Sequence, residues 1–258
     1  MKLVLGCMRR ADRDFKMINE GDKIVVGVSG GKDSLVLLYG LSLYRHFCDN
    51  SFELKAVTLD MGLTPVNWQP IKDMCEKINV EYEVRYTDIG DVIFNQRHEE
   101  NPCALCSKMR RGALTDYCKE IGFNKLALGH HRDDAIETLL MSLLYEGRLH
   151  TFHPVTHLSR QNITQIRPMV YLPEKDIIHA AKKFEMPVTK SPCPANGETK
   201  RQEMKELLDT LTKQYPRARE YMLNALRNTD QYGLWNKPEE ETTNPPTGSG
   251  RTHRHEKE

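Results

Sequence analysis

Short β-branched apolar runs alternate with longer stretches of helical periodicity through most of the chain. Residues 24–28 read as a buried strand, and 54–59, 82–86, 125–128 and 163–166 as further strands. Helices are predicted over 35–44, 65–78, 108–121, 135–145 and 173–184, with one before the first strand and two after the last, over 200–215 and 216–228. This rhythm predicts an α/β fold with a doubly wound parallel sheet. An N-terminal helical segment (1–20) precedes a main domain (21–228) that ends in helices. Residues 148–165 are rich in His, Thr and Ser and read as a loop or hairpin, and 189–197 as an irregular loop. Residues 237–258 lack apolar periodicity and read as a disordered tail.

Ligands of such sheets bind beyond the carboxyl ends of the strands. Three polar clusters follow strand ends: Ser29-Gly-Gly-Lys-Asp-Ser34, Asp60 and Gly129-His-His-Arg-Asp-Asp134. One rim is therefore expected to collect all three. In the first cluster a strand feeds a helix through Gly30 and Gly31, which brings unpaired N–H groups and the positive helix end to one point. That is an anion site, and both glycines are free to take φ > 0 and let a phosphate approach. The spacing is not that of the G-x-x-x-x-G-K-S/T loop.

Composition narrows the setting. A formal net charge of +1 neither demands nor forbids a nucleic-acid partner, although Lys108-Met-Arg-Arg111 is a local basic candidate. No apolar run reaches the roughly 18 residues of a membrane span. The apolar start covers only Leu3 to Leu5, shorter than the roughly 7–15 residues of a secretion signal, so no export is expected. Seven cysteines, an odd number in a long chain, then point to a reducing cytosol.

Cys48, Cys75 and Cys118 fall within or at the ends of predicted helices and read as small core residues. Cys103-Ala-Leu-Cys106 and Cys193, which is flanked by prolines, read as loop thiols with chemistry to do. Three thiolates would leave one iron of a [4Fe-4S] cluster without a protein ligand. On spacing alone, zinc with His98 or His153 as a fourth ligand fits comparably, and so does a redox dithiol.

The order of motifs separates these readings. Ser29-Gly-Gly-Lys-Asp-Ser34, Cys103-x-x-Cys106-Ser-Lys-Met-Arg-Arg-Gly-Ala-Leu114 and Leu128-Gly-His-His-Arg-Asp-Asp134 are followed by Ile166-Arg-Pro-Met-Val-Tyr171 and Glu174-Lys-Asp-Ile177. Cys193 then precedes Lys200-Arg-Gln202. Together they resemble the TtcA family of tRNA 2-thiocytidine synthetases, which are PP-loop ATP pyrophosphatases, over about residues 7–228. The resemblance implies adenylation of a cytidine C2 carbonyl in tRNA and replacement of its oxygen by sulfur. The sulfur would be delivered on a [4Fe-4S] cluster held by Cys103, Cys106 and Cys193.

ATP would be bound by Ser29, Gly30, Gly31, Lys32, Asp33 and Ser34, with Asp60, Gly129 and His130 at the nucleotide rim and Mg2+ on Asp33. Arg110, one turn after Cys106, would face back towards the cluster and steady developing charge. Asp134 would orient substrate or move a proton, and Arg111 would meet tRNA phosphate. For Asp133 and Asp134 the competing role is capping of the helix they open. Implied partners are tRNA, ATP and a sulfur donor, a cysteine desulfurase or free sulfide, and a homodimer is allowed. Two rival functions stand: thiolation of another tRNA base or a small heterocycle, and an ATP-responsive zinc or iron-sulfur redox sensor.

Overall fold

The computed structural model describes residues 1–97, 102–190, 193–194 and 200–228. The expected tail at 237–258 and His98 lie outside the described residues, as does most of the 189–197 loop. The central sheet has six strands: β1 (Asp22–Gly27), β2 (Phe52–Asp60), β3 (Glu81–Tyr86), β4 (Lys125–Ala127), β5 (Val155–Leu158) and β6 (Ile163–Ile166). Their spatial order is β3-β2-β1-β4-β6-β5, and every pairing is parallel except β5 with β6. The antiparallel edge strand departs from the expected all-parallel sheet. β5 is short and only part-buried, so no clear apolar alternation marks it, and the turn to β6 passes through Asn162 at φ 55°.

The central strands are apolar without alternation because both faces of the sheet are covered. Ile24 and Val26 pack into one core with α1 (Lys2–Phe15), α2 (Lys32–Tyr44), α3 (Gln69–Lys77) and α7 (Glu174–Lys183). Val25, Val57 and Leu126 face a second core with Leu114, Tyr117 and Cys118 of α5 (Pro102–Glu120). Val4, Met8 and Ala11 of α1 are buried in the first core. α6 (Arg132–Glu146) packs through Ile136 and Leu140 on Met204 and Leu208 of α8 (Lys200–Gln214), and α9 (Ala218–Arg227) follows. A short α4 (Ile89–Asp91) and a π-helical turn (Val92–Gln96) lie between β3 and α5.

Two boundaries change the chemistry. α2 begins at Lys32, so Lys32, Asp33 and Ser34 form its first turn. α5 begins at Pro102, not near Lys108, which corrects the loop placement of Cys103 and Cys106: both thiols stand on the opening turns of a helix. Proline suits the first helical position, where its missing N–H has no partner to lose. The sheet order reverses between β1 and β4, so the crevice of a doubly wound fold opens where the loops after these two strands meet.

Candidate active site

The loop after β1 is tied to itself. The Ser34 hydroxyl donates to the Gly31 carbonyl (2.9 Å) and accepts the Ser29 N–H (3.1 Å), and Ser29 Oγ accepts the Gly31 N–H (3.3 Å). Of the two glycines only Gly30 has positive φ (81°); Gly31 is extended at φ −77° and caps α2. A Cβ on Gly30 would come 3.1 Å from the Trp68 ring and 3.2 Å from Thr189 Cβ, and the Gly30 carbonyl accepts the Thr189 N–H (2.9 Å). The chain leading to Cys193 is thereby pinned to the phosphate loop. Gly30→Ala is expected to cost about 1–2 kcal/mol from the left-handed backbone alone, plus the shift of Trp68 or Thr189, read as a lower melting temperature.

Asp60, expected at the nucleotide rim, sits behind Trp68 next to the phosphate loop and lines neither of the two cavities there. The chain turns at Gly62 (φ 70°), and the Asp60 carboxylate accepts the Gly62 N–H (2.9 Å) and the Trp68 indole N–H (2.8 Å). It holds Trp68 over the loop.

Two adjoining cavities lie at the crevice. A smaller one, about 260 Å³, is lined by Ser29, Asp33, Ser34 and Gly129 among others. A larger one, about 710 Å³, is lined by Cys103, Cys106 and Cys193 together with Lys32 and Arg111. Asp33, Arg110, Leu114, Leu128, His130 and Asp134 line both. The phosphate loop and the three thiols therefore share one wall.

Charges are arranged tightly around Asp33. Lys32 Nζ lies 3.0 Å from Asp33 Oδ1 and 3.1 Å from Glu174 Oε1. Burial works against the charge of Lys32, yet these two carboxylates more than offset it and hold its pKa above the ordinary lysine value. The Lys32 contact to Asp33 Oδ1 is out of hydrogen-bond alignment, so this buried oxygen accepts no hydrogen bond among the described residues. Its pairing is by charge alone, with the Lys32 ammonium, so a bound cation would share this oxygen with Lys32.

Asp134 serves the capping role weighed for it. Its carboxylate accepts the His131 N–H (2.9 Å), while its own N–H donates to His131 Nδ1 (3.4 Å). This bond places the His131 proton on Nε2, which faces Asp134 Oδ2 (3.4 Å) and Asp33 Oδ1 (3.7 Å). Asp133 is buried and accepts the Glu174 N–H (2.9 Å) and an Arg219 N–H. Burial raises its pKa, but that amide and the Arg132 and Arg219 charges bring it below the usual carboxylate range.

His130 packs its ring 4.9 Å from that of Phe152, and Nδ1 is buried with no hydrogen bond among the described residues. Burial pushes its pKa down to about 4, with Arg167 and Arg201 adding to the fall and Asp134 opposing it. The unfolded chain takes up this proton near 6.5, so the stability tied to the neutral ring is present above that pH and is lost as pH falls towards 4. His130→Phe is expected to remove about 2 kcal/mol of the stability loss between pH 7 and pH 5. Melts of both proteins at the two pH values check this.

At the other end, burial raises the Cys106 pKa, Arg110 lowers it by charge and hydrogen bond, and Cys193 and Cys103 raise it again. Arg110 faces Cys106 as the four-residue spacing requires. His153, the alternative ligand, is exposed and does not line the cavity of the thiols. Among the described residues no three His, Cys, Asp or Glu side chains are gathered so as to hold one metal ion. A single zinc would draw its sulfurs to within about 4 Å of one another, whereas a multi-iron cluster takes its ligands from around a larger body. Cys103, Cys106 and Cys193 all line the larger cavity, and three thiolates are the donor set of a cluster with one open iron.

Further lining groups had no role in the sequence: Arg167 and Arg201 within the motifs above, and Lys205 outside them. Arg167 is buried, donates to the His153 carbonyl (2.7 Å) and stacks 5.1 Å from the Phe152 ring. Arg201 reaches Asp134 and Glu137, and Lys205 pairs with Glu174 at 2.8 Å. Only Arg167 carries a signal, a charge between Ile166 and Pro168-Met-Val; Arg201 and Lys205 lie in a polar stretch that hides them.

A family described as the PP-loop domain matches residues 7–208. A tRNA-cytidine(32) 2-sulfurtransferase of Citrifermentans bemidjiense is 36% identical over 231 residues, covering 88% of this chain and 91% of that protein. One of Coxiella burnetii is 35% identical, covering 91% and 94%. Among solved structures, the U34-tRNA thiolase NcsA from Methanococcus maripaludis with its [4Fe-4S] cluster superposes with a TM-score of 0.71 at 25% identity, covering 89% of this chain and 80% of that one. Among the described residues no helix is long and apolar enough to cross a membrane.

Proposed function

Because the chain belongs to the PP-loop family, and within it to the tRNA-cytidine(32) 2-sulfurtransferases, we propose that it uses ATP to activate the C2 carbonyl of a tRNA cytidine and replaces that oxygen by sulfur. The observation that carries this reading is the wall shared by the phosphate-loop cavity and the thiol cavity. One base inserted there meets both.

A pyrimidine C2 carbonyl is a poor electrophile with a poor leaving oxygen, and adenylation turns that oxygen into a good leaving group. The first turn of α2, with Lys32 and the hydroxyls of Ser29 and Ser34, holds the departing pyrophosphate where negative charge grows. Asp33, whose buried Oδ1 accepts no hydrogen bond and is paired by charge with Lys32, would hold a Mg2+ that neutralises phosphate charge. Cys103, Cys106 and Cys193 fit a [4Fe-4S] cluster, which when bound supplies sulfur in anionic form. Arg110, between Cys106 and the phosphate loop, steadies charge that develops as oxygen departs. His130 presents a neutral imidazole, and Asp134 keeps the loop after β4 in place for it. Holding both reactants in one cavity removes much of the entropic barrier. Arg111, exposed at the rim, meets tRNA phosphate. A desulfurase or free sulfide in a reducing cytosol provides the sulfur.

The test is anaerobic reconstitution with iron and sulfide, followed by assay of AMP release on adding tRNA and mass spectrometry of its nucleosides. Formation of 2-thiocytidine with stoichiometric AMP is expected. Colourless protein with one tight zinc and no AMP would overturn the proposal in favour of a sensor. The structural relative that thiolates U34 makes uridine the competing substrate, and the same spectra distinguish the two.

A further inference from the structure

Resting on that reading, we infer that Glu137, held in place by Arg201, accepts the 4-amino group of the target base and so selects cytosine over uracil. The base must set C2 between the phosphate loop and the thiols, so its O2 points into the shared wall. The 4-position then lies at the far end of the same base edge, away from the phosphate loop. Glu137 lines the larger cavity and not the smaller one, which matches that placement.

The carboxylates of the cavity differ in what they have left to offer. Asp33 and Glu174 are engaged by Lys32, and Glu174 also by Lys205. Asp134 gives one oxygen to the His131 N–H and the other to Arg201. Glu137, only 3% exposed, accepts from Arg201 Nη1 at Oε2 (3.3 Å), and its Oε1 accepts nothing among the described residues. Arg201 also donates to Thr138 Oγ1 (3.3 Å), which fixes the guanidinium and with it the carboxylate. Burial pushes the Glu137 carboxyl up to about 7, Asp134 adds to the rise and Arg201 only partly offsets it, so an approaching 4-amino donor is what favours the ionised form. This is a carboxylate one donor short of satisfaction.

A cytosine 4-amino group supplies that donor, because carboxylates accept from C N4. Uracil would place its O4 acceptor against the carboxylate, a repulsive contact at a desolvated site.

The experiment uses the full-length reconstituted protein, ATP, and tRNAs carrying cytidine, uridine or 2-pyrimidinone (cytosine without its 4-amino group) at the thiolated position. Wild type is expected to favour cytidine over both analogues by about ten- to a hundredfold. In Glu137→Gln the cytidine-to-uridine ratio should fall at least tenfold, since the amide keeps an acceptor and adds an N–H for O4. In Glu137→Ala, removal of the 4-amino group should cost nothing further. A ratio unchanged in Glu137→Gln, with ATP binding intact, overturns the inference while 2-thiocytidine formation stands. If the variants do not fold, wild type decides: equal turnover of cytidine and 2-pyrimidinone overturns the inference, and a loss supports it. Wild type that makes no 2-thiocytidine sinks the functional reading, and the inference with it.

Discussion

Replacing Asp33 with alanine should abolish tRNA-dependent AMP formation, by on the order of 100- to 1,000-fold, while iron content and fold stay at wild-type values. The side chain stands in the first turn of α2, where backbone N–H groups already draw phosphate. One of its oxygens is buried without a hydrogen bond, in an ion pair with Lys32, and the residue lines a cavity together with the phosphate loop. Removing it takes away the cation ligand and leaves ATP's charge uncompensated at the moment the pyrophosphate departs. Lys32 would not be orphaned, because Glu174 Oε1 stays 3.1 Å from its Nζ. The loop itself is held by Ser29, Gly31 and Ser34, none of which bonds to Asp33. A melting temperature unchanged beside lost AMP release is the expected pair of results. Full AMP release from Asp33→Ala would remove this carboxylate from the reaction.

Cys193→Ala should lose most of the iron and all thiolation, yet bind ATP as well as wild type. Two thiolates on one turn of α5 grip only one side of a cluster, and the third must come from elsewhere in the chain. Cys193 lines the larger cavity with Cys103 and Cys106 and is absent from the smaller one, so the nucleotide site does not depend on its sulfur. Iron and sulfide quantitation after anaerobic reconstitution, beside equilibrium ATP binding, checks both halves. Undiminished iron would take Cys193 out of the ligand set. Lost ATP binding would show that the link from Thr189 to Gly30 transmits the change to the phosphate loop.

The sequence was informative wherever chemistry is local. Continuous apolar runs announced strands buried on both faces, and Gly147 at φ 63° closes α6 as a glycine after a helical stretch should. The four-residue spacing of Cys106 and Arg110 predicted a contact that is present. The start of α5 was less visible, because Pro102-Cys-Ala-Leu-Cys is equally compatible with a loop until the helix is seen to pack. Asp60 looked free at a strand end, yet Trp68, eight residues on, returns to occupy it.

Order along the chain, from strand to phosphate loop to helix, follows from residue type alone, since backbone sterics, apolar periodicity and helix-end polarity act over a few residues. The environment of each charged group does not. Glu137 falls in no motif, and Glu174 and Arg201 have no assigned role in a linear reading; folding buries Glu137 and brings α6, α7 and α8 together around one cavity. Burial and the charges brought alongside set whether a carboxylate is satisfied, whether His130 carries a proton and which thiols face each other, because Coulomb and desolvation energies depend on separation in space.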